Sequence, residues 1–115
     1  MKIVFTFCIL LSSTTMNAQQ SITGIWNIGN DNTKIEITED NGVYGAKIVS
    51  SDNAKAKIGS EFLKDVKSVG GEWEGKLYNA KKNKWYDVVL KEKGDQLMAT
   101  VDAGMMSKTL EWTKG

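Results

Sequence analysis

Apolar and polar residues alternate with a period of two along most of the chain after residue 19. This is the pattern of β-strands that have one dry face and one wet face. In the segment 71–90, the alternation continues on both sides of a lysine-rich turn. Trp73 lies on the dry face of the first arm and Tyr86 on the dry face of the second. We expect the two arms to pair antiparallel across residues 79–83.

Eight such runs follow one another, separated by turn signals at roughly 8–12-residue spacing, which is typical of an all-β sandwich or barrel. Between two of them, Asn41 and Gly42 predict a two-residue hairpin turn, because both residue types tolerate a positive φ. The segment 58–66 is ambiguous, since its apolar residues also fit helical spacing. We favour a strand at residues 61–69, and the choice between helix and strand stays open at this point.

Short connections make consecutive strands neighbours in a sheet. A meander of eight strands leaves two exposed edges unless it closes on itself. We therefore predict an all-β, eight-stranded antiparallel up-and-down barrel in which the Trp26 strand pairs with the Trp112 strand. The residues assigned to its interior are almost wholly apolar: Trp26, Ile28, Ile35, Ile37, Tyr44, Ala46, Ile48, Trp73, Leu77, Tyr86, Val88, Leu90, Leu97, Ala99, Val101, Leu110 and Trp112.

The first residues have the composition of a secretory signal peptide. A basic start is followed by an apolar run at residues 3–11 and by small polar residues that end at Ala18. We predict cleavage after residue 18 and a single domain at 19–115; an N-terminal strand or anchor helix is the alternative. The apolar run is too short to span a bilayer as a helix. The expected product is therefore exported, to the periplasm or beyond the cell, with no membrane segment left after signal removal.

Charge and residue types then exclude several function classes. Without Lys2, the 15 basic residues become 14, which balance 14 acidic ones. A neutral chain with interspersed signs does not favour binding to nucleic acid or to an anionic membrane. The chain has no histidine, and its one cysteine, Cys8, lies in the signal segment. Its acidic turns lack the spacing of a calcium loop, so we expect neither a metal site nor a cofactor.

Catalysis is also disfavoured by the pattern. Glu72 and Glu74 are close enough along one strand to act as a carboxylate pair. They lie on the wet face opposite Trp73, however, where no apolar surroundings would raise either pKa. Serine residues have no histidine to serve as a base. We expect a binding protein and not an enzyme.

Several pieces of the chain resemble DUF2147, a family of small exported bacterial proteins of unknown function. The matching pieces occur in the family's order along the predicted domain: Gly24-Ile25-Trp26, residues 44–49, residues 73–78, Tyr86 with the apolar alternation after it, and residues 111–114. The resemblance implies a lipocalin-like β-barrel, and the first-strand Gly-x-Trp also looks like the start of a lipocalin. It implies no established catalytic set.

The sequence departs from the family's pattern in three places. Tyr78-Asn79-Ala80 replaces a tyrosine-aspartate-proline turn, and Lys108 and Lys114 replace arginines of the tryptophan strand. In lipocalin-like barrels, a terminal-strand arginine often covers the first-strand tryptophan, here Trp26. A lysine can cover the ring with its stem but cannot stack as a plane.

Two binding hypotheses follow. A barrel of eight strands is wide enough to be filled by its own side chains or to hold one small ligand. Our main hypothesis is a small hydrophobic ligand inside the barrel, and the alternative for each interior residue is core packing. The candidate ligand residues are the interior aromatics: Trp26, Tyr44, Trp73, Tyr86 and Trp112.

The second hypothesis is a filled barrel that acts as a cell-envelope protein-interaction module through its outer surface. Tyr78 and Trp85 are predicted to lie on the outer face of the lysine-rich hairpin. Exposed aromatics among lysines can form a protein-contact or a sugar-stacking surface. The simpler interpretation is that the two rings cover each other across the hairpin. The pattern does not identify a partner protein.

Overall fold

The computed structural model describes residues 21–115, which form eight antiparallel strands and one 3₁₀ turn at Asn30–Asn32. The predicted signal peptide lies outside the described residues. No helix within 21–115 has the length and apolar character needed to cross a membrane. The strands run as follows: β1 Gly24–Asn27, β2 Lys34–Asp40, β3 Val43–Ser50, β4 Glu61–Val69, β5 Glu72–Asn79, β6 Lys84–Lys93, β7 Gln96–Asp102 and β8 Ser107–Lys114.

The sheet closes into an up-and-down barrel, as the sequence predicts. Each strand pairs with the next along the chain, and β1 pairs with β8. Closure depends on two residue pairs, Trp26 with Lys114 and Asn27 with Thr113. Because the first strand pairs with the last, neither outer strand of the meander remains a free edge along this seam.

The two ends of the barrel differ in their connections. At one end, β2–β3, β4–β5 and β6–β7 are joined by two-residue turns, so we name it the hairpin end. At the other, the loop end, the connections span residues 28–33, 51–60, 80–83 and 103–106. The hairpin prediction at Asn41 and Gly42 is confirmed, because their φ angles of 53° and 85° are both positive.

The ambiguous segment is a strand with irregular register. β4 pairs with β3 and β5, and its register shifts twice against β3. Asp65 has a φ of 56°, and the shift beside it turns both Leu63 and Val66 toward the interior, where they are fully buried. A β-bulge adds one residue to a strand and so changes the face of the residues that follow. The three-residue spacing in the sequence reflects this bulge and not a helix.

The core fills the barrel along its length. Its buried apolar side chains are Ile22, Trp26, Ile35, Ile37, Ala46, Leu63, Val66, Trp73, Leu77, Val88, Leu90, Leu97, Ala99 and Trp112. The predicted interior is therefore largely confirmed. Ile22, Leu63 and Val66 are additions, since the strand pattern does not include them.

Candidate ligand site inside the barrel

Three of the five predicted ligand residues are tryptophans of the core. Trp26, Trp73 and Trp112 extend from β1, β5 and β8, and their exposed fractions are 4%, 1% and 0%. The indole N–H of Trp26 donates a hydrogen bond of 2.9 Å to the carbonyl oxygen of Ile22. Within residues 21–115, the indole N–H groups of Trp73 and Trp112 have no acceptor. Two buried donors are thus unpaired in an otherwise apolar interior.

The two predicted tyrosines are not brought together. Tyr44 pairs with Glu39 beside the β2–β3 turn, at the hairpin end. Tyr86 pairs with Leu77 beside the β5–β6 connection, at the loop end. Both are half-buried. A single small ligand at one end of the barrel therefore meets one tyrosine and not the other.

The loop end is lined by inward apolar side chains that are only half-buried. They pack against the core, and they are Ile28, Ile48, Phe62, Val101 and Leu110. Tyr86 is also half-buried at this end. Hydrogen bonds order part of the rim: Thr33 Oγ1 lies 2.7 Å from Ser51 Oγ, and the Asp52 N–H donates to the Asp31 carbonyl at 2.9 Å. This end combines an apolar lining with partial exposure of those side chains.

Phe62 is the residue of this lining that strand alternation does not predict. It lies on β4 at a register shift, directly before the buried Leu63. Its ring centroid is 6.0 Å from that of Trp112, and the two planes are tilted by 49°. In a ring of eight strands β4 and β8 stand opposite each other, so Phe62 reaches across the interior. The adjacent apolar pair Phe62–Leu63 was the available sign of a bulge.

At the hairpin end, Ile22 and Lys114 lie against Trp26. Ile22 is fully buried there, ahead of β1, and its carbonyl accepts the indole hydrogen bond. The ammonium of Lys114 lies 5.7 Å from the centroid of the Trp26 ring. The lysine therefore lies over this tryptophan at a cation–π distance, in the place where the resembling barrels use an arginine.

The family model described as an uncharacterized protein conserved in bacteria, DUF2147, matches residues 24–114. The chain belongs to this family. The matched range begins and ends with the barrel, from the first residue of β1 to the last of β8. The DUF2147 unit is therefore the complete eight-stranded barrel. No curated protein and no solved structure matches the chain.

The outer hairpin of this DUF2147 barrel carries the second predicted site. Tyr78 and Trp85 are paired across β5 and β6, and their ring centroids are 5.1 Å apart. The ammonium of Lys64 lies 4.2 Å from the Trp85 centroid, and the Tyr78 hydroxyl donates to Asn83 Oδ1. Both rings are half-buried. The rings cover each other as the simpler interpretation expects, and a lysine covers part of what remains.

The turn of the same hairpin departs from the DUF2147 pattern, but a side chain still accepts a hydrogen bond from the turn backbone. Asn79 occupies the place of the family's aspartate, and its Oδ1 accepts a hydrogen bond of 3.1 Å from the Lys82 N–H. Asn83 has a φ of 52°, which asparagine tolerates better than most residues. The asparagines therefore supply the turn chemistry in this chain.

Proposed function

We propose that this DUF2147 barrel binds a small apolar molecule that enters at the loop end. The observation that carries the proposal is the difference between the two ends. Five inward apolar side chains are half-buried at the loop end, whereas at the hairpin end Ile22 is fully buried and Tyr44 is half-buried. Ligand sites are typically concave and mostly apolar, with few polar groups that fix orientation.

Burial of the loop-end lining supplies a driving force for binding. Complete burial of a valine, leucine, isoleucine or phenylalanine side chain is worth about 1.5–3 kcal/mol relative to exposure. Half-buried side chains such as Ile48 and Leu110 still expose apolar surface, so a ligand that covers them gains part of this free energy. Tyr86, on the same end, adds a hydroxyl that a ligand can pair with.

Phe62 controls the depth of this site in our proposal. Its ring contacts Trp112 across the interior, so it separates the loop end from the tryptophan core. A ligand that displaces the phenyl ring of Phe62 makes the apolar contact with Trp112 in its place and reaches deeper into the barrel. Phe62 lies at a register shift of β4, where fewer regular pairings constrain the strand.

The experiment uses the full chain secreted by a bacterial host, purified without detergent and analysed by native mass spectrometry and after organic extraction. Nile red fluorescence then measures binding to the purified protein. We expect a co-purifying apolar molecule or saturable dye uptake at one site. Phe62→Ala should strengthen dye binding about tenfold, because truncating a core side chain leaves apolar space that an apolar guest can fill.

Trp85→Ala is the matched control, since it removes an aromatic ring from the outer face. It should leave dye binding unchanged. An empty protein that takes up no dye, in both the native form and Phe62→Ala, would refute the proposal. Equal effects of the two substitutions would show that the dye binds the outside of the barrel.

We further propose that the barrel is exported after loss of residues 1–18 and acts by binding rather than catalysis. The support for export is the order of basic, apolar and small residues before position 19. Intact-mass measurement of the periplasmic and secreted fractions tests it. The expected mass is that of residues 19–115, and an unprocessed chain confined to the cytoplasm contradicts it.

The outer hairpin is a second candidate, favoured by one observation. Trp85 is part of an ordered group with Tyr78 and Lys64 on the outside of the barrel, and aromatic and basic side chains together are common in protein interfaces. Cross-linking in cells that is lost in Trp85→Ala, with dye uptake retained, would favour this role. Unchanged cross-linking would dismiss it.

A further inference from the structure

Two indole N–H groups inside the barrel have no acceptor among residues 21–115: those of Trp73 and Trp112. The two side chains are 1% and 0% exposed. Buried donors in proteins are nearly always paired, because an unpaired one has lost its hydrogen bonds to water without replacement. Trp112 also contacts Phe62 at the inner side of the proposed ligand site, where a polar group of a ligand would supply the missing acceptor.

Trp26 shows that the same interior can satisfy an indole when the chain supplies an acceptor. Its N–H is bonded to the Ile22 carbonyl at 2.9 Å, and its side chain is 4% exposed. The three buried tryptophans therefore divide into one that is paired within the protein and two that are not. Packing volume explains a large side chain at each position, but a phenylalanine would also fill space without a buried donor.

We infer that the ligand carries an uncharged hydrogen-bond acceptor, such as the carbonyl of an ester or ketone, which reaches the indoles of Trp73 and Trp112. This inference rests on the proposed function, since it names the chemical class of the molecule that the barrel binds. Trp112 contacts Phe62, the ring that separates it from the loop end. A ligand that displaces Phe62 therefore brings its leading group to this indole.

The acceptor is uncharged because the surroundings of the two indoles are apolar. The buried side chains of the core are hydrophobic. A carboxylate placed at the indoles would lose its hydration among these apolar side chains, which costs far more than burial of a neutral carbonyl.

Nuclear magnetic resonance of the ¹⁵N-labelled protein tests the inference directly. The chain has 4 tryptophans, so each indole N–H gives one resolvable signal, assigned with single tryptophan-to-phenylalanine variants. The probes are methyl decanoate, decanoate and decane, which share one chain length and differ in the acceptor. Their affinities are measured by displacement of Nile red from the same secreted protein.

Methyl decanoate should shift the Trp73 and Trp112 indole signals downfield and leave those of Trp26 and Trp85 in place. It should bind about tenfold more tightly than decane, as expected when a buried donor gains its acceptor. Trp73→Phe and Trp112→Phe should each reduce that ratio. Trp26→Phe is the matched control and should leave the ratio unchanged, because its indole is already paired.

The outcomes separate this inference from the function on which it rests. If none of the three probes binds, the proposed function and the inference both fail. If decane binds as tightly as the ester, or the ester binds without moving the two indole signals, the inference fails while apolar binding stands. Tighter binding of decanoate than of its methyl ester would overturn the uncharged acceptor. The signals of the native protein decide the matter even if a tryptophan variant does not fold.

Discussion

The bulge of β4 packs directly against Gly75 of the neighbouring strand β5. A Cβ atom added to Gly75 would lie 2.5 Å from Val66 Cγ2, 2.7 Å from Val66 Cα and 2.9 Å from the Lys64 carbonyl oxygen. Two of these three atoms belong to the backbone and cannot rotate away. Gly75→Ala therefore requires β4 and β5 to separate at the bulge that turns Val66 into the core.

The expected loss of stability follows from these distances. Ordinary contacts of a Cβ lie at 3.4–4 Å, so the backbone must move by a substantial fraction of an ångström. Overpacking of this kind costs about 1–3 kcal/mol, and contact with fixed backbone atoms places Gly75→Ala at the upper end. Because 1 kcal/mol corresponds to roughly 4–8 °C in a domain of this size, we expect the Tm to fall by about 10–20 °C.

Thermal unfolding followed by circular dichroism measures this change. Gly45→Ala is the matched control, since Gly45 also lies in a strand beside β4, but its added Cβ would meet only the Leu63 carbonyl oxygen at 3.3 Å. Its effect should stay within about 1 kcal/mol, because a small clash offsets the entropy gained by removing a strand glycine. If Gly75→Ala melts within about 3 °C of the native protein, the close approach at the bulge is refuted.

Three further perturbations address the hairpin end and the outer surface. Ile22→Ala should lower the free energy of unfolding in urea by about 2–5 kcal/mol through loss of a fully buried side chain, and a loss below about 1 kcal/mol would show that Ile22 does not pack into the core. A double-mutant cycle of Tyr78→Ala and Trp85→Ala should give a coupling of about 0.5–1.5 kcal/mol, whereas additive effects would contradict the ring contact. Lys76→Met should cost at most about 1 kcal/mol, since its ion pair with Asp87 is exposed; a cost that persists in high salt would contradict the electrostatic interpretation.

Local patterns predicted much of the fold. The alternation around Ile35 and Ile37 identified strand faces because a side chain in a strand must point to one side or the other. The Asn41–Gly42 turn was predictable since it depends on the φ tolerance of two residues. Barrel closure followed from the need of a meander to remove its edges. Tyr78 and Trp85 shared an outer face for the same reason of alternation.

The candidate site was less predictable because it depends on where each residue lies along the barrel axis. Tyr44 and Tyr86 have the same inward pattern, yet strand direction places them at opposite ends. Phe62 breaks the alternation, and a register shift makes it a partner of Trp112. The period-two pattern does not predict where these residues lie along the barrel axis, because that position depends on the combined register of several strand pairs.

By itself, the sequence determined that this protein is an all-β chain of eight strands with a predominantly apolar interior, because strand faces and tight turns are properties of neighbouring residues. Only the tertiary structure decided where Ile22 is buried, which aromatic side chains meet, and which indole is paired. Ile22 precedes the strand pattern, and its carbonyl satisfies Trp26 but neither Trp73 nor Trp112. Such pairings depend on the distance between side chains from strands far apart in the chain, and closure of the barrel determines that distance.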